Sequence, residues 1–443
     1  MSEQTSPNSP PSSVGLDERG AEQPRYLTPE APDSLVAEVA VEAAVGGERL
    51  EDARAARGAD GVGGARDESA VGGTHRGLVE RAVCAEAYGE ARCAGAARHR
   101  DIAAQLGVSE GELIAAHVNA QPKLRGLQAR RLRPEWPRLI AALETVGVVM
   151  ALTRNDFCVH EKTGIYRNTS ASGPARREMG LVLGGEIDLR VFYGRWAHGF
   201  AVDEISEKGV QRSLQFFDAA GTAVHKVFVK PATDAEAWIA LVVDFLSADR
   251  SPGLTPVITS ATPPEKPDAE IDVAAFHQAW ASLRDTHEFF GLLRTHGVTR
   301  TQALRLAEPR FVREVDTASA QQVLSCAAST GTSVMVFVGN RGMIQIHTGP
   351  VQKVVVIGPW LNVLDPGFNL HLREDHIASA WAVRKPTSDG LVTSLELFDA
   401  QGETIAMFFG ERKPGRAEHC GWRELIDGLV GDRAGFEVAP CLP

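Results

Sequence analysis

Ser213-Leu214-Gln215-Phe216-Phe217-Asp218-Ala219-Ala220-Gly221 returns 181 positions later as Ser394-Leu395-Glu396-Leu397-Phe398-Asp399-Ala400-Gln401-Gly402. At the same offset, Ile187-Asp188-Leu189-Arg190 corresponds to Phe368-Asn369-Leu370-His371. A repeat of this length is the size of a domain and is too long for a solenoid unit or a propeller blade. The sequence therefore predicts a duplicated scaffold, and the positions at which its two copies differ are candidates for function.

Composition and charge exclude several classes of protein. The 443 residues are 44% hydrophobic and carry a formal net charge of −11, which disfavours non-specific binding to nucleic acid or anionic membranes. No apolar run is long enough to span a bilayer, and the N-terminus lacks the order of charges of a signal peptide. The six cysteines lack the spacing of a zinc site or a dense disulfide framework. We expect a cytoplasmic protein without a nucleic-acid partner or stable membrane insertion.

The chain divides into a tail and two halves. Residues 1–78 contain no Phe or Trp and cannot bury enough apolar area to offset chain entropy, so we expect them to be disordered. A first repeat is expected over 79–251, a Pro-rich linker over 252–267 and a second repeat over 268–443. Helices followed by alternating strands predict an α+β fold in each half, with a large antiparallel sheet and flanking helices.

Hydrophobic periodicity places the elements of each half. In the first half we expect helices over 101–106, 110–117, 134–146 and 234–247, and strands over 148–153, 157–159, 180–183, 187–193, 197–202, 212–217 and 225–229. In the second half we expect helices over 272–296, 300–308 and 421–430, and strands between about 334 and 409.

One local pattern resembles a DNA-binding helix-turn-helix. It runs from Ile102 to Leu113, with Gly107-Val108-Ser109 at its turn. Its second helix offers Glu110 and Glu112, whereas a helix that reads base edges favours Arg, Lys, Asn or Gln. Because a similar turn recurs in the second half, we interpret this pattern as part of the repeated scaffold.

His287 is the first candidate functional residue. The helix expected over 272–296 carries an apolar stripe that consists of Phe276, Trp280, Leu283, His287 and Phe290. A histidine in such a stripe either bonds to a backbone carbonyl in the core or presents its imidazole to a metal. Its counterpart in the first half is Ala97. The scaffold therefore does not require a histidine there, and this difference favours function.

Arg190 is the second candidate. In the strand expected over 187–193, Asp188, Arg190 and Phe192 share one face because side chains alternate along a strand. The counterpart of Arg190 is His371, another difference between the halves. An arginine beside a phenylalanine is compatible with an ordinary surface or with a binding pocket.

Several of these motifs resemble the HemS/HmuS family of cytoplasmic haem-trafficking and haemin-degrading proteins. The resemblance extends over about residues 85–435. It rests on Asp188-Leu189-Arg190-Val191-Phe192, Leu214-Gln215-Phe216-Phe217-Asp218, Asp285-Thr286-His287-Glu288-Phe289-Phe290, Val336-Phe337-Val338-Gly339-Asn340-Arg341-Gly342 and Arg384-Lys385-Pro386-Thr387-Ser388-Asp389-Gly390.

The resemblance implies a fold and a binding site. The implied fold is a tandem α+β duplication with two large antiparallel sheets and one haem b in a cleft. His287 matches the axial ligand of the haem iron, and Arg190 with Phe192 matches the opposite, distal side. Arg300, Lys385 and Arg412 match basic positions near the haem propionates. Imidazole suits haem iron, and cationic side chains suit carboxylates.

Three positions qualify the match. Met407 and Phe409 stand where several family members have Gln and Tyr, so the polar contacts on that side of the pocket differ. His160 matches a histidine proposed as an auxiliary ligand in some relatives, which raises the question of a second haem.

Two functions are compatible with the resemblance. The first is a carrier that receives imported haem and delivers it for iron release, with a haem importer and a downstream haem oxygenase or electron donor as partners. The second is a haem-degrading enzyme that opens the porphyrin ring with an external electron donor. In that case Arg190 is the candidate catalytic residue. We favour the carrier.

Overall fold

The computed structural model describes residues 87–92, 98–120, 126–174, 178–206, 208–257, 264–412, 417–430 and 436. The tail expected over 1–78 and Ala97, the counterpart of His287, lie outside these residues.

Helices and strands follow the order that the sequence predicts in both halves. The first half contains α1 (His99–Leu106), α2 (Glu110–Ala116), β1 (Gly126–Arg131), α3 (Trp136–Ala142), β2 (Gly147–Arg154), β3 (Cys158–Gly164), β4 (Thr169–Ser172), β5 (Met179–Leu183), β6 (Asp188–Phe192), β7 (His198–Ser206), β8 (Gly209–Phe217), β9 (Ala223–Thr233) and α4 (Ala235–Asp244). The second half contains α5 (Val273–Ala281), α6 (Glu288–His296), α7 (Arg300–Leu306), β10 (Val312–Val315), α8 (Ser319–Thr330), β11 (Ser333–Asn340), β12 (Met343–Pro350), β13 (Val354–Ile357), β14 (Trp360–Asp365), β15 (Phe368–Arg373), β16 (Ser379–Thr387), β17 (Gly390–Phe398), β18 (Thr404–Gly410) and α9 (Cys420–Leu429).

The described strands form two nine-stranded antiparallel sheets. The first sheet has the order β1-β7-β8-β9-β2-β3-β15-β14-β13, and the second has the order β10-β16-β17-β18-β11-β12-β6-β5-β4. The two orders correspond strand for strand, as a duplication requires. The predicted fold class, a duplicated α+β protein with large antiparallel sheets, is therefore confirmed.

Each sheet takes three strands from the other half of the chain. Strand β6 pairs with β12, with Arg190 opposite Ile344, and β15 pairs with β3, with His371 opposite Val159. Strands β4 to β6 thus belong to the sheet of the second half, and β13 to β15 belong to the sheet of the first. The sequence pattern predicts most of these strands but not their exchange.

Two apolar clusters join the sheets. One contains Val336 of β11 and Leu370 of β15, and the other contains Val149 of β2 and Leu189 of β6. Each cluster therefore combines a strand of the first sheet with a strand of the second, and one of the two is an exchanged strand. Apolar burial of this kind is the dominant favourable term in folding, so the exchange is part of the core and not a peripheral contact.

The prediction of one continuous helix over 272–296 is wrong. Helix α5 ends at Ala281 with Ser282 as its C-cap, and α6 begins at Glu288 with His287 at the N-cap position. Local acceptors stabilise the turn between them: the Glu288 carboxylate accepts from the backbone N–H of Arg284 at 2.8 Å. Side chains that bond to nearby backbone in this way compete with helix continuation. We call residues 282–287 the corner.

The helix-turn-helix pattern serves the scaffold. Ser109 and Glu112 form a capping box at the start of α2, with the Ser109 N–H donating to Glu112 at 2.8 Å. Glu110 is buried and forms ion pairs with Lys226 and Arg154. Both acidic side chains thus have structural partners, which agrees with our interpretation of the pattern.

Sequence periodicity did not predict β1, β4, β10 or α8. Helix α8 has 12 residues and packs Val323 and Leu324 into the core around β11. No helix in the described ranges is both long and apolar enough to cross a bilayer.

Because the sheets share strands, neither half should fold as an independent unit. We expect pieces produced by cutting the chain within 252–267 to be poorly soluble when expressed separately, since each lacks three strands of its own sheet. Co-expressed pieces should associate one to one. Size-exclusion chromatography with circular dichroism tests this, and two separately folded monomeric halves would contradict the exchange.

Candidate functional site

One side of the second sheet carries a continuous apolar surface. Because side chains alternate along each strand, the residues that share this side can be read from the strand register. The buried members of this surface, which we call the apolar face, are Phe192, Met335, Phe337, Ile344, Ile346, Val392, Met407 and Phe409. They lie on five neighbouring strands, β6, β12, β11, β18 and β17.

Arg190 and Phe192 lie at one end of the apolar face. Leu189 and Val191 point into the core between the sheets, whereas Phe192 belongs to the apolar face, so the predicted alternation is confirmed. The Arg190 side chain is only 2% exposed, forms an ion pair with Asp188 and donates to the Leu189 carbonyl at 3.0 Å. The strand exchange therefore brings a buried cation from the first half onto the sheet of the second.

A buried ion cluster lies at the other end, on β16, β17 and the start of α7. Arg300, the first residue of α7, donates to both Glu396 carboxylate oxygens at 2.8 Å. The Lys385 ammonium is 3.5 Å from the same carboxylate, and Ser394 donates to it at 2.9 Å. We call Arg300, Lys385, Glu396 and Ser394 the carboxylate cluster. Four strand spacings separate Glu396 from Arg190, roughly 19 Å.

Charge and burial shift the pKa values within the carboxylate cluster. Burial disfavours the charged form of Glu396, but the charges of Arg300 and Lys385 outweigh it and hold the pKa of Glu396 at about 2. Burial and then the Arg300 charge lower the pKa of Lys385 to about 7, against the opposing effect of Glu396. The Lys385 ammonium also lies 3.9 Å from the Phe289 ring centroid, a cation–π contact.

His287 lies at the end of the corner, two residues before Phe289. Its side chain is buried, and its Nδ1 is 2.6 Å from the Asp285 carboxylate. Asp285 also accepts from the His287 backbone N–H at 3.1 Å. This carboxylate fixes the ring orientation, so that Nε2 lies on the edge of the ring away from Asp285. A carboxylate–histidine pair of this kind is the usual support of a metal-binding imidazole.

The turn between β16 and β17 connects the corner to Arg412. The Ser388 N–H donates to the Arg284 carbonyl in the corner at 2.8 Å, and Asp389 lies 3.5 Å from the Arg412 guanidinium. Arg412 follows β18 and is buried to all but 8% of its side chain. The predicted cations Arg300, Lys385 and Arg412 are thus brought to the half of the site that also holds His287.

His160 lies elsewhere. It is fully buried, pairs in register with Thr153 and Leu370, and packs against the Phe368 ring. Burial and then the nearby His347 lower its pKa well below the usual value. The structure therefore places His160 among the residues that join the sheets and not with the residues of the apolar face.

Met407 and Phe409 are both part of the apolar face. Met407 is the register partner of Glu396, and Phe409 that of Ser394. The Met407 sulfur lies 3.5 Å from the Arg300 guanidinium, so a thioether stands beside the carboxylate cluster. This part of the site is less polar than the family pattern implies.

Sequence reasoning missed Glu396 and Asp285. The signal for Glu396 lies in the repeated stretch itself, because its counterpart in the first half is Gln215. A comparison of the halves at every position would therefore have singled it out. Asp285 stands two residues before His287, a spacing at which its carboxylate reaches both the ring and the backbone.

These groups have the chemistry to hold a largely apolar ligand that carries carboxylates. The apolar face offers aromatic and aliphatic contacts, Arg300 and Lys385 suit carboxylates, and the His287 imidazole suits a metal. The fold and the site together define a class of duplicated α+β proteins in which one composite sheet carries a binding face.

Comparison with known proteins identifies that class. The family model described as the haemin-degrading HemS/ChuX domain matches residues 107–245 and 297–429, and the chain belongs to this family. The hemin transport protein HmuS of Yersinia pestis is 41% identical over 332 residues, which are 75% of this chain and 92% of HmuS.

Solved structures agree. The crystal structure of holo-PhuS, a heme-binding protein from Pseudomonas aeruginosa, superposes with a TM-score of 0.75 and 46% identity, covering 79% of this chain and 99% of PhuS. ChuS, an E. coli heme oxygenase, superposes with a TM-score of 0.66 and 38% identity, covering 75% of this chain and 95% of ChuS. The predicted family is confirmed.

The lowered pKa of Lys385 predicts a pH-dependent contribution to stability. The folded-state pKa of about 7 lies below the ordinary value of 10.5, so between these pH values the unfolded chain binds the proton more readily. The penalty of burying the charged lysine is complete below pH 7 and is relieved as the pH rises towards 10.5, with a slope of at most about 1.4 kcal/mol per pH unit.

We therefore expect any stability advantage of Lys385→Met over the wild type to be largest below pH 7 and to shrink as the pH rises. Urea denaturation at pH 6, 7.5 and 9 measures this difference. Lys353→Met, at an exposed position, controls for the loss of a lysine. A difference that is constant across this range would contradict the assignment.

Proposed function

We propose that this protein binds one haem b on the apolar face and carries it through the cytoplasm. Its partners would be a haem importer and a downstream haem oxygenase or electron donor. The single observation that carries the proposal is that the apolar face lies between Arg190 and the carboxylate cluster, and that His287 stands two residues before Phe289, whose ring contacts Lys385 of that cluster. Relatives named as a hemin transport protein and a heme-binding protein support the same function.

Each site residue has a role in this proposal. His287 would supply the axial ligand to the haem iron, with Asp285 holding its Nδ1 and so presenting Nε2. The apolar face would receive the macrocycle, since burying a largely apolar ring releases ordered water. Arg300, Lys385 and Arg412 would receive the propionates, because guanidinium and ammonium groups form strong charge-assisted hydrogen bonds with carboxylates.

Arg190 and Phe192 would close the opposite side of the haem. Both are contributed by β6, the strand that the first half inserts into the second sheet. Arg190 is held by Asp188 and by a backbone carbonyl of its own strand. On binding, Arg190 would add contacts with the ligand to these contacts or exchange part of them.

Haem degradation is the second candidate function. It is favoured by the likeness to ChuS, whose structures describe a heme oxygenase and a heme-degrading enzyme. If the chain cleaves the ring, Arg190 is the candidate catalytic residue, because it is the buried cation of the distal side. Cleavage would require electrons from an external donor.

Arg190→Ala separates the two functions. For a carrier, the variant should lose about 1–3 kcal/mol of haem affinity, the usual value of a charged hydrogen bond, and transfer haem to apomyoglobin correspondingly faster. For an enzyme, product formed per bound haem should fall far more than occupancy does, because a transition-state contact affects turnover beyond binding. We expect the first result.

The assay measures cleavage product per bound haem with a reductant, with and without catalase. Catalase removes peroxide that free haem and reductant generate, and this peroxide bleaches the ring without an enzyme. Arg310→Ala, at an exposed arginine, is the matched control. Wild-type turnover that persists with catalase and disappears in Arg190→Ala would contradict the carrier and support the enzyme.

A further inference from the structure

Glu396 already pairs with Arg300, a cation that the proposed function assigns to a haem propionate. Its carboxylate accepts from both Nε and Nη2 of Arg300 at 2.8 Å. Two parallel bonds of this kind use one complete edge of the guanidinium group. A second carboxylate would then approach Arg300 by its other edge, Nη1 and Nη2, and would meet a guanidinium whose charge is already paired with Glu396.

Lys385 forms an ion pair with the same carboxylate. Its Nζ lies 3.5 Å from Glu396 Oε1, the oxygen that also accepts from Arg300 and from Ser394. Glu396 is fully buried, so water screens its charge only weakly. A ligand carboxylate that approaches either cation would therefore experience repulsion from Glu396.

In the first half, the corresponding strand position carries no charge. The counterpart of Glu396 is Gln215, which is 1% exposed and donates to Ser213 at 3.1 Å. Ser394 forms the corresponding contact with Glu396 at 2.9 Å. An uncharged amide thus occupies the same strand position beside the same serine in the first half, where Glu110 and Glu204 stand in place of Arg300 and Lys385.

We propose that Glu396 competes with the haem propionates for Arg300 and Lys385 and thereby limits haem affinity and promotes release. The inference rests on the proposed haem-binding function and assigns to that site an internal competitor. A carrier must release its haem. When the propionates leave, Glu396 pairs with Arg300 and Lys385 again, and this pairing lowers the barrier to release.

The test compares haemin with haemin dimethyl ester, in which both propionates are esterified and uncharged. The dissociation constant of each is measured by absorbance titration. The ratio of the dissociation constant of the ester to that of haemin gives the contribution of the charged propionates to affinity. Glu396→Gln should raise this ratio by about tenfold, the effect of removing one like charge at a few ångströms in a partly screened site. The rate of haemin transfer to apomyoglobin should fall in parallel.

Two variants serve as controls. Glu396→Asp keeps the charge and should leave the ratio within about twofold of the wild type. Glu110→Gln removes the buried carboxylate that pairs with Lys226 and Arg154 in the first half, and it should also leave the ratio unchanged.

The outcomes are distinguishable. A ratio near one in both the wild type and Glu396→Gln would show that Arg300 and Lys385 do not bind the propionates, which contradicts the roles assigned to them and with them this proposal. A wild-type ratio well above one that stays constant or falls in Glu396→Gln would overturn the competition alone. Failure of Glu396→Gln to fold would overturn it as well, because the carboxylate would then be required by the scaffold.

Discussion

The pairing of β6 with β12 is the contact on which the rest of the site depends. It places Arg190 opposite Ile344 and so adds a strand of the first half to the sheet of the second. Without it, Phe192 would be absent from the apolar face, and the face would end at β12. The duplicated fold is thus more than two domains in tandem. Each half completes the sheet of the other, and the proposed binding face belongs to both.

The two ends of the apolar face differ in their charged groups. At one end Arg190 has a local partner in Asp188, and at the other Arg300 and Lys385 converge on the buried Glu396. Burying charges is costly unless they are paired and hydrogen-bonded, and the internal carboxylates meet this requirement for the cations at both ends. In our proposal, the pairing of Arg300 and Lys385 with Glu396 also opposes the binding of an external carboxylate.

The sequence predicted the α+β duplication, most of the strands and the face shared by Arg190 and Phe192, because these follow from local alternation and from the repeat. It did not predict the strand exchange, since two strands of similar pattern fit either sheet and only long-range packing selects the partner. The break before His287 was missed because an apolar stripe continues across it in the sequence. Within the break, the Glu288 carboxylate accepts from the backbone N–H of Arg284. Hydrophobic periodicity gives no indication of such a contact.

We propose that His287, at the start of α6, anchors the haem iron, and a cavity variant tests this most directly. His287→Gly should bind haemin without the absorption and electron paramagnetic resonance signature of the wild type, because glycine leaves the axial position without its imidazole. Added free imidazole should restore that signature in the variant. A variant that keeps the wild-type spectrum without imidazole would contradict the assignment of His287 as the ligand.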